Sequence, residues 1–168
     1  MTISPNPFQR LAPFIREFIH RQGWTELRGM QVEAITTILD SDQHVLLAGQ
    51  TASGKTEAAF LPILTDLERE PSASIGVLYV GPLKALINDQ FQRLGHLLEE
   101  AEIPVWPWHG DISQTVKARA VKTARGIMQI TPESLEGFML YRKEHLHRLF
   151  HDLRYVVIDE VHAFMGSD

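Results

Sequence analysis

The stretch Leu46–Ala59, L-L-A-G-Q-T-A-S-G-K-T-E-A-A, decides the fold. An apolar run, Val45–Ala48, suits a buried strand, Gly49 follows it, and Gly54-Lys55-Thr56 closes a G-x-x-x-x-G-K-T pattern ahead of good helix formers. Strand, loop and helix in that order predict a phosphate-binding loop. Its glycines let the backbone N–H groups of Gly49, Gln50, Thr51, Ala52, Ser53 and Gly54 close around phosphate oxygens, and the following helix N-terminus adds a partial positive charge. Lys55 then reaches the outer phosphates of a nucleotide, and the Thr56 hydroxyl sits on Mg²⁺.

With 168 residues, 44% of them apolar, the chain is the size of one globular domain and can bury a real core. That composition excludes disorder as a class. It has no cysteine, which removes disulfides, Cys-based zinc sites and a Cys nucleophile and permits a reducing compartment. No apolar run approaches the roughly 20 residues of a membrane span, and M-T-I-S-P-N-P-F-Q-R has no signal-peptide layout, so a cytoplasmic protein without membrane contact is expected. Net charge is −5, from 16 basic and 21 acidic residues, so any binding of nucleic acid must use a local patch.

Outward from the loop, residues 1–42 read as a helical lead-in and residues 43–168 as a parallel α/β core, together one domain. Leu11, Phe14, Ile15, Phe18 and Ile19 recur at helical spacing, Gly23-Trp24 breaks that helix, and Met30, Ala34, Ile35, Ile38 and Leu39 mark a second. The helix after the loop contains Pro62, which should kink it or end its first segment. Ile75–Val80, Val105–Trp108, Ile127–Ile130 and Tyr155–Ile158 read as strands, with Leu83–Leu98 and Ser113–Thr123 as helices between them. Thr131 and Pro132 suit the N-cap and first turn of another helix. Strands alternating with helices at this rhythm predict a doubly wound parallel sheet, in which ligands bind at the carboxyl ends of strands.

Asp159-Glu160 follows the last strand, where Asp159 would hold Mg²⁺, usually through water, and Glu160 would orient or deprotonate the attacking water. As it stands, Asp159-Glu160-Val161-His162 resembles the D-E-x-H box of superfamily 2 helicases and translocases. The phosphate loop is similar to that family's A-x-T-G-x-G-K-T, from which Gly49 and Ala52 depart. Gly23-Trp24, Leu27-Arg28 and Gln31 look like its glutamine motif, whose amide recognises adenine, with Phe14 at the aromatic position before it. Pro82-Leu83-Lys84-Ala85-Leu86, Gly110-Asp111 and Thr131-Pro132-Glu133-Ser134 resemble blocks that grip the backbone of a nucleic-acid strand, Lys84 being the phosphate contact. Ser134, Asp111 and His162 separate the chain from the DEAD-box RNA helicases, and the set looks most like the Lhr-like and Ski2-like branch.

The resemblance implies a RecA-like domain that uses ATP and Mg²⁺, acts on DNA or RNA through backbone contacts, and links its two sites through His162. It also implies a second RecA-like domain, which in this family supplies arginine fingers. Such a finger is worth roughly 10³–10⁵ in rate in related nucleotidases. The 168-residue chain is therefore expected to bind nucleotide with little turnover, the alternative being a module that binds ATP and nucleic acid without hydrolysis.

Three further features carry two readings each. Lys117, Arg119, Lys122 and Arg125 form a basic cluster that is either a nucleic-acid patch or a solvated helix face. Trp106 and Trp108 are either base-stacking platforms or, as the flanking residues favour, core. His145, His147 and His151 lack metal-site spacing and read as surface residues.

Overall fold

The computed structural model describes residues 6–50, 53–86 and 89–164. The chain forms two compact units, Met1–Pro71 and Ser72–Asp168.

The first unit is helical. Asn6 caps α1 (Pro7–Arg10), its side-chain oxygen accepting the Phe8 N–H at 3.0 Å. In α2 (Pro13–Arg21) the apolar stripe read from the sequence buries Ile15, Phe18 and Ile19. Helix α3 (Gly29–Asp40) packs along α4 (Lys55–Arg69). The Thr65 hydroxyl on α4 accepts the Ala12 N–H at 3.1 Å, and Arg10 pairs with Asp40, so both ends of the lead-in are tied down.

Of the two outcomes expected at Pro62, a kink or an end, the helix does not end: α4 runs on through it. A proline inside a helix costs about 3 kcal/mol, but Leu61, Ile63 and Leu64 around it are buried, and each buried side chain of this size contributes about 1.5–3 kcal/mol. Burial wins. The expectation that fails in this unit is the strand at Val45–Ala48, which carries no regular structure, with Leu46 83% exposed. An apolar run becomes a strand only where a neighbour supplies hydrogen bonds and apolar surface, and none of the described strands pairs with it.

The second unit is built on a parallel sheet. It contains β1 (Ile75–Val80), α5 (Leu83–Leu86), α6 (Asp89–Glu100), β2 (Val105–Trp108), α7 (Gln114–Thr123), β3 (Gly126–Ile130), α8 (Pro132–Tyr141), α9 (Lys143–Phe150), β4 (Tyr155–Ile158) and a 3₁₀ turn, Val161–Phe164. Among the described residues the strand order is β2-β3-β1-β4, and all pairs are parallel. Over the helix expected at Leu83–Leu98 the described residues are helical as α5 and α6, residues 87 and 88 lying outside them, and α6 extends to Glu100.

Every residue of β1 is buried, as a central parallel strand covered on both faces requires. One core joins Leu78, Val80, Trp106, Trp108, Met128 and Ile130 to Ala120, Phe138 and Leu149 of α7, α8 and α9. A register shift between Ile75 and Val77 lets Ile75 join the same core despite its position in the alternation. Tyr79 instead stacks on Phe91 of α6, their centroids 5.1 Å apart. Asp152, just before β4, clasps the entry to β1: it accepts the Ala73 N–H at 2.7 Å and its own N–H donates to the Ser74 hydroxyl at 2.9 Å. No helix among the described residues is long and apolar enough to cross a membrane.

Candidate nucleotide and strand-binding site

The first unit assembles the phosphate loop around its lysine. Lys55 Nζ donates to the Gly49 carbonyl at 2.8 Å and the Gln50 carbonyl at 2.9 Å, so the loop folds over the ammonium at the N-terminus of α4. Gly54 caps that helix in the left-handed region at φ 86°, which a residue with a side chain adopts only under strain. A Cβ would crowd neighbouring side chains as well: on Gly54 it would lie 2.9 Å from Gln31 Nε2, which would have to shift, and on Gly49 2.8 Å from Met30 Cε and Ser53 Oγ. Thr51 and Ala52 lie outside the described residues.

The glycine contact brings the glutamine motif to the loop. Gln31 is 2% exposed, and its Oε1 accepts the Arg28 N–H at 2.9 Å, which fixes the amide beside Gly54. Phe14 is half-buried on α2. Thr56 and Glu57 are buried in the first turn of α4. Ser53 Oγ and Glu57 Oε2 are buried without a hydrogen-bond partner. Of the two, the Ser53 hydroxyl is the one that can donate to a phosphate oxygen, and it stands beside Gly49 in the loop. The residues fit a phosphate group.

In the second unit, register places the other candidates in one row. Trp108 pairs with Ile130, Ile130 with Val80, and Val80 with Ile158. The residues after these strands therefore lie in spatial order along the carboxyl edge: Gly110-Asp111 after β2, Thr131-Pro132 after β3, Gly81-Pro82 after β1 and Asp159-Glu160 after β4. Thr131 caps α8 as its sequence predicts, accepting the Ser134 N–H at 3.4 Å and donating its hydroxyl hydrogen to Ser134 Oγ at 3.0 Å. Pro132 takes the first helical position. Gly110 and Asp111 are exposed. Lys84 falls on α5, and its side chain lies outside the described residues.

The acidic turn is held rigidly on one side and open on the other. Asp159 N–H donates to the Val80 carbonyl at 2.8 Å, one carboxylate oxygen accepts the Tyr79 hydroxyl at 2.7 Å, and the other accepts the Glu160 N–H at 2.8 Å. Each oxygen keeps a lone pair, which suits a water-mediated cation. Glu160 adopts φ 49°, a strained conformation for a residue with a side chain, and its exposed carboxylate lies 3.3 Å from His162 Nδ1. Burial first, then the bond to Asp159 and the charges of Asp159 and Glu160, push the Tyr79 phenol well above its ordinary range. Tyr79 is the residue that motif reading missed. Its only signal is a hydroxyl in the otherwise aliphatic strand I-G-V-L-Y-V.

The remaining candidates sort clearly. Trp106 and Trp108 are buried in the core, Trp106 Nε1 donating to the Arg125 carbonyl at 2.8 Å, so neither is a stacking platform. His147 and His151 are exposed, and His145 is half-buried on α9.

The sequence profile of the DEAD/DEAH box helicases matches residues 28–168. The "uncharacterized ATP-dependent helicase YprA" of Bacillus subtilis is 29% identical over 154 residues, covering 90% of this chain and 20% of that protein. The "ATP-dependent helicase Lhr-Core" of Methanothermobacter thermautotrophicus is 30% identical over 173 residues, covering 94% and 20%. Among solved structures, the DUF1998 helicase MrfA bound to DNA and AMPPNP superposes with a TM-score of 0.80 at 28% identity, over 93% of this chain and 22% of that one. The fold is therefore RecA-like. The chain spans about a fifth of the length of these relatives.

Proposed function

The chain belongs to the DEAD/DEAH box helicase family, and from that premise we propose that it is the ATP-binding half of a superfamily 2 motor that moves along a DNA or RNA strand. The observation that carries the reading is the phosphate loop closed on Lys55, with the buried Gln31 amide fixed beside Gly54. A loop that already holds its lysine at a helix N-terminus needs only to exchange two carbonyl partners for phosphate oxygens.

In this reading Gln31 and Phe14 receive adenine, Gly49–Thr56 hold the phosphates, and Lys55 carries the charge of the outer ones. Thr56 and Asp159 hold Mg²⁺, which offsets negative charge on the phosphate oxygens. Asp159 can do so because Tyr79 and the Glu160 N–H fix its carboxylate. Glu160 orients the attacking water and accepts its proton, and His162, 3.3 Å from that carboxylate, is the group through which the strand site reaches it. Pro82, Lys84, Gly110, Asp111, Thr131 and Pro132 contact the strand backbone, through N–H groups, a lysine and the N-terminus of α8. Support for a strand comes from the similar helicase MrfA, solved bound to DNA.

Turnover and movement belong to the whole motor and a second RecA-like domain. The test is equilibrium binding of a labelled ATP analogue with Mg²⁺, followed by an ATPase assay on the same sample with and without nucleic acid. Tight binding with little turnover is expected. Binding that survives Gly54→Ala and Lys55→Ala together would contradict the assigned loop.

A further inference from the structure

We propose that Lys117 and Arg142, both held against the indole of Trp108, form a phosphate clamp that extends the strand track past Gly110-Asp111. The inference rests on the strand-binding reading of the same carboxyl edge, and it adds residues that lie in none of the motif blocks. Lys117 Nζ lies 5.7 Å from the Trp108 ring centroid, and the Arg142 guanidinium carbon also lies 5.7 Å from it. Both distances are within cation–π range.

The arrangement is rigid for reasons of packing. Trp108 is 4% exposed and meets Phe138 edge-on at 5.1 Å, so its ring is fixed in the core. Arg142 joins α8 to α9, with its N–H on the Phe138 carbonyl at 2.9 Å. Gln114 and Lys117 stand one turn apart on α7, and Arg142 Nη2 reaches Gln114 Oε1 at 3.5 Å. Two like charges are thus drawn to one ring from separate elements.

No carboxylate among the described residues forms an ion pair with either of them. Asp111, in the loop that follows Trp108, faces His109 instead, at 4.0 Å. Two cations each 5.7 Å from one ring centroid, neither paired with a carboxylate among the described residues, leave their charge open to an anion. Trp108 is the last residue of the edge strand β2, so the pair lies at the outer end of the row formed by Gly110-Asp111, Thr131-Pro132 and Gly81-Pro82. An anion at the end of a row of backbone-gripping groups is, in this reading, a phosphodiester of the same strand. Base identity is not read there. Lys122 is exposed at the far end of α7 and serves as the control for diffuse attraction.

The test is fluorescence anisotropy of the 168-residue chain with labelled single-stranded oligonucleotides of two unrelated sequences, across a salt series. The variants are Lys117→Gln, Arg142→Gln, their double, Lys122→Gln and Thr131→Ala, each checked by thermal unfolding. Each clamp variant should weaken binding roughly three- to tenfold at low salt for both sequences and lower the salt slope by about 0.7, while Lys122→Gln changes little. Equal losses for Lys122→Gln would mean attraction without a site and would overturn the clamp. Unchanged binding in the clamp variants, beside a loss with Thr131→Ala, overturns the clamp and leaves the strand reading standing. Absence of binding by the unaltered chain overturns both.

Discussion

Tyr79 shows how one side chain joins the core to the chemistry. Its ring fills the space against α6 while its hydroxyl orients Asp159. Its phenol is raised in the folded state above the ordinary value of 10.0, so the unfolded chain loses that proton first. Stability from this group is complete below the unfolded value and falls as pH rises past it. Tyr79→Phe is therefore expected to flatten the alkaline side of the stability profile and to weaken the fold at neutral pH by about 1 kcal/mol. Urea unfolding at about pH 7 and about pH 10.5 measures both; identical alkaline slopes would contradict the assignment. Gly54 carries a second prediction at this scale. Gly54→Ala forces a Cβ into the left-handed region and against Gln31 Nε2, and should destabilise the chain by about 1–2 kcal/mol. Nucleotide binding should weaken further than stability alone explains, because Gln31 must move. Equal losses in the two measurements would mean that Gln31 plays no part.

At the scale of elements, the clasp from Asp152 to Ala73 and Ser74 ties the start of β4 to the start of β1. The backbone bond from Ala73, ahead of the other contributions, lowers the Asp152 carboxyl below its ordinary value. A depressed carboxyl contributes stability above the unfolded value and loses it as pH falls through the folded one. Asp152→Asn should accordingly flatten the acid side of the stability profile, measured by urea midpoints through the carboxylate range, and an unchanged acid limb would show the clasp to be idle. Which elements were legible follows the same division between local and distant causes. The cap at Thr131-Pro132 is written in adjacent residues, and it formed as read. The left-handed angle of Gly54 is likewise local, whereas its crowding by Gln31 comes from another helix. Val45–Ala48 is apolar enough for a strand, but a strand is a property of two segments, and periodicity cannot supply the second. Pro62 does not end α4, because burial along the helix outweighs a local penalty. The bond from Tyr79 to Asp159 and the approach of Arg142 to Trp108 join residues far apart in sequence, so no spacing announces them.

For the whole molecule, the sequence assigns the phosphate loop and the glutamine motif to the first unit and the acidic turn and strand-gripping row to the second. Within each unit the structure gathers residues that lie well apart in the chain: Gln31 with Gly54 in one, and four strand ends along a single sheet edge in the other. The family match and the RecA-like fold extend across both units. Length separates this chain from its relatives, of which it spans about a fifth, so binding by the chain itself is the property to establish before turnover or movement. The most direct measurement is the affinity of the 168-residue chain for a fluorescent ATP analogue with Mg²⁺, beside Lys55→Ala. Removing the one ammonium that the loop is folded around is expected to weaken binding at least tenfold, since charge-assisted contacts of this kind contribute about 1.5–3 kcal/mol. Equal affinity of the two proteins would contradict the claim that this loop holds the phosphates.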